Sequence, residues 1–221
     1  MRISQNKQGT NEWLEERKGI PTASEFAPFM VQNTKAATAA RRKYIAEKLT
    51  DGMEGDDFER EAYEKASTYL EKDPWIRRGK ELEPTAREKL SSILGFEIIE
   101  TGLIFHDSNL FAGSPDGLVV IKDEWSAGVE IKCHNRKRHL ADLLAGTLPD
   151  DHKYQVHGSM VVTGLRQWHY FGFHPALPYL HLTVDWDSFT DELQSGLLAL
   201  GDEIKATRKQ LIEITKAQNT P

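Results

Sequence analysis

Apolar residues recur at three- and four-residue intervals across residues 189–215. There Leu193, Leu197, Leu200, Ile204, Leu211 and Ile214 predict a long helix with one buried stripe. A second helix is predicted over residues 83–94, with Ala86, Leu90, Ile93 and Leu94 on its buried face. Pro84 suits the first turn of that helix and Gly95 its end. Helices are also expected over residues 11–18, 23–31, 36–49, 139–144 and 153–163. Residues 54–72 are highly charged, with Glu59, Glu61, Glu64 and Lys65, and predict a surface helix after an Asp51-Gly52 turn.

Between the helices the pattern becomes strand-like over residues 97–105, 110–122 and 128–133, with a turn at Lys122-Asp123-Glu124. Two further strands are expected over residues 167–173 and 179–184, joined through Pro175 and Pro178. Trp168, Tyr170, Phe171 and Phe173 are assigned to sheet packing. The order of elements predicts an α/β fold with a central mixed β-sheet flanked by helices. With 221 residues and neither repeat nor low-complexity linker, a single domain is expected. It divides into a helical part over about residues 1–95, a sheet over about 96–185 and a terminal helix over about 187–217.

Composition narrows the class. Apolar residues make up 39% of the chain and charged residues 28%, as in ordinary globular proteins. No apolar run approaches the roughly 20 residues that span a bilayer, and the amino terminus lacks an apolar signal region, so a cytosolic protein is expected. The single cysteine, Cys133, excludes an internal disulfide and a four-cysteine metal site. It reads as a small core residue, with mild reactivity left open by its neighbour Lys132. A net charge of −6 argues against a general nucleic-acid coat. Two basic clusters remain candidates for gripping phosphates: Lys35, Arg41, Arg42, Lys43 and Lys48, and then Arg136, Lys137 and Arg138.

The densest chemistry lies between Phe111 and Cys133. Ser114-Pro115-Asp116-Gly117 is followed, after 13 residues between Asp116 and Glu130, by Glu130-Ile131-Lys132. Strand alternation projects Glu130 and Lys132 to one face and Ile131 into a core. A hairpin would bring Asp116 beside Glu130, and two converging carboxylates call for a cation between them. Hard oxygen donors favour Mg²⁺ or Mn²⁺ over Zn²⁺. Lys132 could then hold or deprotonate an attacking water, or neutralise a phosphate. The plainer reading is a polar hairpin, since Asp-Gly is a common turn pair.

Further blocks resolve the alternatives through a resemblance. Trp13-Leu14-Glu15-Glu16-Arg17 with Gly19, Thr22-Ala23-Ser24-Glu25 and Gly79-Lys80-Glu81-Leu82-Glu83 precede the two motifs, and Tyr154-Gln155-Val156 with Ser159-Met160 follows them. In this order they resemble the phage lambda-type alkaline exonucleases, the YqaJ-like viral recombinases, within the restriction-endonuclease-like PD-(D/E)xK nucleases. The resemblance runs from Trp13 to about Pro175. It implies a Mg²⁺-dependent exonuclease with two ions, Mn²⁺ being a possible substitute. The enzyme would digest the 5′-ended strand of duplex DNA, release 5′-mononucleotides and leave a 3′ single-stranded tail for recombination by strand annealing.

The implied metal ligands are Asp116, Glu130, the main-chain carbonyl of Ile131, and Glu83. Lys132 is the implied catalytic lysine, Gln155 an active-site helper, and Arg17 and Ser24 a pocket for the 5′-phosphate. The implied partners are double-stranded DNA ends, a single-strand annealing protein and two further copies in a ring of three. The setting would be the cytoplasm of a bacterial host, with phage or prophage as the source. Ile76, ahead of Arg77-Arg78, stands where the family places a strand-parting wedge, and Trp75 could stack on a base. An apolar pair at that place more often packs into a core.

Each residue also has a structural reading. Arg17 could pair with Glu12 or Glu16, Ser24 could cap a helix, and Glu83 could be a first-turn acid favoured by the helix dipole. An endonuclease, specific for structure or sequence, or a non-catalytic DNA-end-binding subunit on the same fold are the alternatives. The eight histidines show no ligand spacing: His152 and His157 are five apart, and His169 and His174 fall on opposite faces of a strand. His134-Asn135 matches the His-Asn-His nucleases only as a dipeptide. No phosphate-cradling G-x-x-x-x-G-K-[ST] loop is present.

Overall fold

The computed structural model describes residues 2–51, 53, 55 and 73–218, so the charged helix expected over 54–72 falls outside them but for Gly55. The first half contains β1 (Arg2–Ile3), α1 (Asn11–Glu16), two 3-10 turns (Ala23–Glu25 and Pro28–Met30), α2 (Lys35–Thr50) and α3 (Pro74–Leu94). Short strands follow: β2 (Glu97–Ile99), β3 (Ile104–Phe105), β4 (Ala112–Gly113), β5 (Gly117–Ile121) and β6 (Glu124–Lys132). Then come α4 (Arg136–Ala145), α5 (Asp150–Thr163), β7 (Gln167–Gly172), β8 (Leu180–Asp185) and α6 (Ser188–Gln218).

The main sheet has five strands in the order β2-β5-β6-β7-β8. All neighbours are antiparallel except β6 and β7, whose parallel pairing requires the crossover that α4 and α5 provide. The β5–β6 connection is a two-residue loop with Lys122 and Asp123 at φ 52° and 65°. Both values lie in the left-handed region that tight hairpins demand. A bulge between the Val120↔Trp125 and Val119↔Ala127 pairs shifts the register by one residue and gives Gly117↔Val129, placing the end of the Ser-Pro-Asp-Gly turn beside the Glu-x-Lys segment. A smaller sheet, β1-β3-β4, lies beside it.

Alternation along β6 divides the molecule into layers. Val129 and Ile131 face α3, packing with Ala86, Leu90, Val119 and Phe171. The opposite face of the sheet packs against α5 through Val156, Met160, Trp168 and Tyr170. Gly128 lies opposite Trp168 in the ladder, and a Cβ there would stand 2.1 Å from the indole. The terminal helix closes a third cluster through Leu193, Leu197, Leu200 and Ile204, together with Phe26, Phe111 and Val161. Beyond Ile204 its apolar positions Leu211 and Ile214 are exposed, so the predicted stripe is buried over only part of its length.

Four expectations need correction. The helix over residues 23–31 is instead two short turns, because Ala27, held extended at φ −149° ahead of Pro28, breaks the run. Pro84 does not open its helix; α3 begins ten residues earlier at Pro74, with the Asp73 carboxylate accepting the Trp75 N–H at 2.7 Å. Pro84 is exposed, and so is Lys80, whose carbonyl loses its helical partner to the proline. The strands expected over residues 97–105 and 110–122 are each two strands in different sheets, β2 with β3 and β4 with β5. Between β2 and β3, Gly102 lies so close to the amino-terminal segment that a Cβ would stand 2.5 Å from the Asn6 carbonyl.

Candidate active site

The β5–β6 hairpin joins the two acidic motifs through main chain and side chain together. The Asp116 N–H donates to the Val129 carbonyl at 3.1 Å, and Asp116 Oδ2 accepts the Ile131 N–H at 2.6 Å. Glu130 projects to the face opposite Ile131 and is only 1% exposed. Its Oε1 lies 2.5 Å from Lys132 Nζ, and the same ammonium donates to Gln155 Oε1 on α5 at 3.3 Å. The predicted projection of Glu130 and Lys132 to one side is therefore observed.

Glu83 reaches the same place from α3. It sits in the middle of that helix, where the helix dipole offers nothing, so the first-turn reading falls away. What holds it is Arg87, one turn on, a residue that the sequence reading missed. Arg87 donates from Nε to the Asp116 carbonyl at 2.8 Å and from its terminal nitrogens to Glu83 at 2.5 Å and Glu100 at 3.3 Å. The four-residue spacing from Glu83 was visible; its link to the Asp116 turn, 29 residues away, was not.

Crowding shows in the acid–base balance. Burial, reinforced by Asp116, pushes Glu83 up to about 7 against the pull of Arg87. Burial also pushes Glu130 to about 7, with Lys132 opposing and Asp116 adding to the rise. Asp116 is raised by burial despite Lys132 and the Ile131 N–H. Burial pushes the Lys132 ammonium down, but Glu130 and Asp116 outweigh it and leave its pKa above the ordinary lysine value. The lysine therefore stands as a cation among carboxylates, suited to orient a water or neutralise a phosphate.

The donor set fits a hard cation. Both Glu130 oxygens are buried; Lys132 stands against Oε1, and Oε2 has no hydrogen-bond partner among the described residues. No three described His, Cys, Asp or Glu side chains stand close enough to cage an ion between them. Mg²⁺ does not require such a cage, because it keeps several waters and is held by one or two carboxylates. Asp116, Glu130, the Ile131 carbonyl and Glu83 are the residues available to hold it.

All these groups line one cleft of about 510 Å³, together with Arg17, Ser24, Trp75 and Ile76. Arg17 does not pair with Glu12 or Glu16: it donates to Thr22 Oγ1 at 2.7 Å and lies 4.6 Å from the centre of the Trp13 ring on its own helix. Trp13 donates in turn to Ser114 Oγ at 3.0 Å, tying this corner to the Ser-Pro-Asp-Gly turn. Ser24 is exposed, and the carboxylate that caps this turn is Glu25, which accepts the Thr22 N–H at 3.0 Å. Trp75 and Ile76 are 57% and 40% exposed in the first turn of α3, not buried ahead of it.

Other candidates separate. Lys48 is buried against Glu25, Arg41 pairs with Glu203 and Lys43 with Glu47, so much of the first basic cluster is neutralised. In the second, Arg138 pairs with Asp142 and Asp151, while Arg136 and Lys137 are exposed. Burial raises the Cys133 thiol to about 11, which makes it inert. Histidines do meet across elements, which spacing along the chain could not reveal: His134 with His152, and His169 with His181.

The family model for the YqaJ-like viral recombinase domain matches residues 12–166. This chain belongs to that family. No curated protein matches it. Among solved structures it is similar to an alkaline exonuclease, LHK-Exo, from Laribacter hongkongensis. That match has 25% identity and a TM-score of 0.73, covering 95% of this chain and 100% of that one. The same enzyme in complex with dAMP matches at 25% identity and TM-score 0.65, covering 93% and 100%. A phage related exonuclease from Haemophilus somnus 129PT shares the fold at 12% identity and TM-score 0.52, with 89% and 96% covered. The mixed sheet flanked by helices is thus the restriction-endonuclease-like fold. No described helix is long and apolar enough to cross a membrane.

Proposed function

We propose that this chain is a Mg²⁺-dependent DNA exonuclease that removes 5′-mononucleotides from the 5′-ended strand of a duplex. The 3′ single-stranded tail left behind would serve recombination by strand annealing. The observation that carries the reading is one cleft lined by Glu83, Asp116, Glu130, Lys132 and Gln155, and also by Arg17 and Ser24. Membership of the viral recombinase family and the likeness to an alkaline exonuclease support DNA as the substrate.

Asp116, Glu130, Glu83 and the Ile131 carbonyl would hold two ions. Bound Mg²⁺ supplies charge stabilisation at the attacking and leaving oxygens of an in-line displacement. Lys132, positioned by Glu130 and Gln155, orients the attacking water and offsets phosphate charge. The water oxygen bonds to phosphorus as the bond to O3′ breaks, so the nucleotide leaves with a 3′-hydroxyl and the shortened strand keeps a 5′-phosphate. Arg17 and Ser24 bind that terminal phosphate, whose dianion carries more charge than an internal diester. The exposure of Trp75 and Ile76 at the cleft supports a contact of these two side chains with the terminal base pair.

The test is a Mg²⁺ time course on linear and covalently closed duplex, with 5′-phosphate and 5′-hydroxyl ends compared. The reading expects digestion of linear DNA only, faster from 5′-phosphate ends, with Arg17→Ala erasing the preference. Efficient cutting of closed circles would reject it in favour of an endonuclease.

A further inference from the structure

We propose that His134 and His152 form a second metal site on the cleft wall, selective for a borderline ion of the Zn²⁺ class and separate from the carboxylate centre. His134 lies between β6 and α4, and His152 in the first turn of α5; both line the cleft. Their Nε2 atoms are 3.4 Å apart, long for a hydrogen bond between nitrogens. Two imidazoles on one tetrahedral ion, each at about 2.0–2.1 Å, place their nitrogens about 3.4 Å apart. The same geometry puts the ring centres about 5.2 Å apart, and here they are 5.3 Å apart, with planes inclined by 23°.

The surroundings prepare both rings as ligands. Asp142 Oδ2 lies 3.0 Å from His134 Nδ1, and that bond puts the proton on Nδ1 and turns the Nε2 lone pair outward. Burial lowers both imidazoles, His152 to about 4, which keeps them in the neutral form that binds metal. Asp151 Oδ1 lies 4.0 Å from His152 Nε2 but is held by Arg138 at 2.8 Å, so the two imidazoles are the side-chain donors of the site. The nearby cations are Lys132 and Arg138, and the carboxylates of Asp142 and Asp151 balance Arg138. Beneath His152 lies Tyr170, whose buried hydroxyl has no partner among the described residues. Imidazole donors favour Zn²⁺, Ni²⁺ or Cu²⁺ over Mg²⁺, so the two centres sort ions by ligand chemistry. Coordination positions left open face the cleft and take water or a phosphate oxygen of DNA.

The experiment titrates Co²⁺, a visible stand-in for Zn²⁺, into the tag-free full-length protein without DNA and with Mg²⁺ in large excess. One equivalent should bind and give the intense d–d absorption of a low-coordinate site. His134→Ala and His152→Ala should each weaken it by about tenfold or more. Asp142→Asn should weaken it by about 10- to 100-fold, while Asp116→Asn should leave it unchanged. Should an alanine variant not fold, Zn²⁺-induced shifts of the His134 and His152 ring ¹⁵N resonances in the native protein decide the matter. Absence of Co²⁺ binding, binding indifferent to both histidines, or loss in Asp116→Asn overturns the proposal. Because no DNA is present, its failure leaves the exonuclease reading standing.

Discussion

Glu130 is a carboxylate with 1% exposure whose burial lifts its pKa from 4.5 to about 7, so the metal-free protein should be strained by its own ionisation. The folded state binds this proton more tightly than the unfolded chain does. Its contribution to stability is therefore fully present below pH 4.5 and is lost as pH rises through about 7. At about 1.4 kcal/mol per tenfold change in proton affinity, the loss is about 3 kcal/mol. For a chain of this size that amounts to roughly 6–12 °C in Tm. Glu130→Gln keeps the shape and removes the titration. Melts of wild type and Glu130→Gln in EDTA across pH 5–8 read Glu130 together with the cleft groups it shifts, since titrations outside the cleft cancel in the difference. The variant should gain on wild type as pH rises, and Mg²⁺ at pH 8 should raise the wild-type Tm more than that of the variant. Parallel melting curves across the range would refute the reasoning.

Other outcomes follow from single contacts. Lys132→Ala should abolish DNA cleavage while DNA-end binding, read by fluorescence anisotropy, persists; full cleavage would remove the lysine from the mechanism. Arg87→Met should release both Glu83 and the Asp116 turn, cost about 2 kcal/mol in urea melts, less than a fully buried pair because Glu83 is part-exposed, and raise the Mg²⁺ concentration for half-maximal cleavage. An unchanged Mg²⁺ requirement would make Arg87 merely structural. Gly128→Ala would place a methyl group 2.1 Å from Trp168 and should cost about 3 kcal/mol by overpacking. A neutral Tm would contradict the described sheet packing.

Much of the site was legible in order and alternation. A period of two settles that Glu130 and Lys132 share a face and that Ile131 does not, whatever the rest of the fold. The Lys122-Asp123 turn returns the chain, but a bulge opposite Val119 and Val120 shifts the pairing by one residue, and that shift, which the sequence did not reveal, sets Gly117 opposite Val129 and Asp116 alongside. Helix boundaries were less legible where local rules conflict. Pro84 carries a helix-start signal, but Asp73 and Pro74 carry a stronger one, and an exposed face lets the later proline be tolerated.

What the sequence determined by itself was local: which side chains share a strand face, where the hairpin turns, and which blocks occur in which order. The tertiary structure decided the partners. Arg87 holds Asp116 and Glu83 together, Arg17 leans on Trp13 and Thr22, and His134 meets His152 only because the β6–β7 crossover folds α5 back beside the end of β6. Tertiary structure also decided the charge state of the site. A carboxylate has an ordinary pKa in an extended chain, and only packing that excludes water and crowds Glu83, Asp116 and Glu130 together raises it.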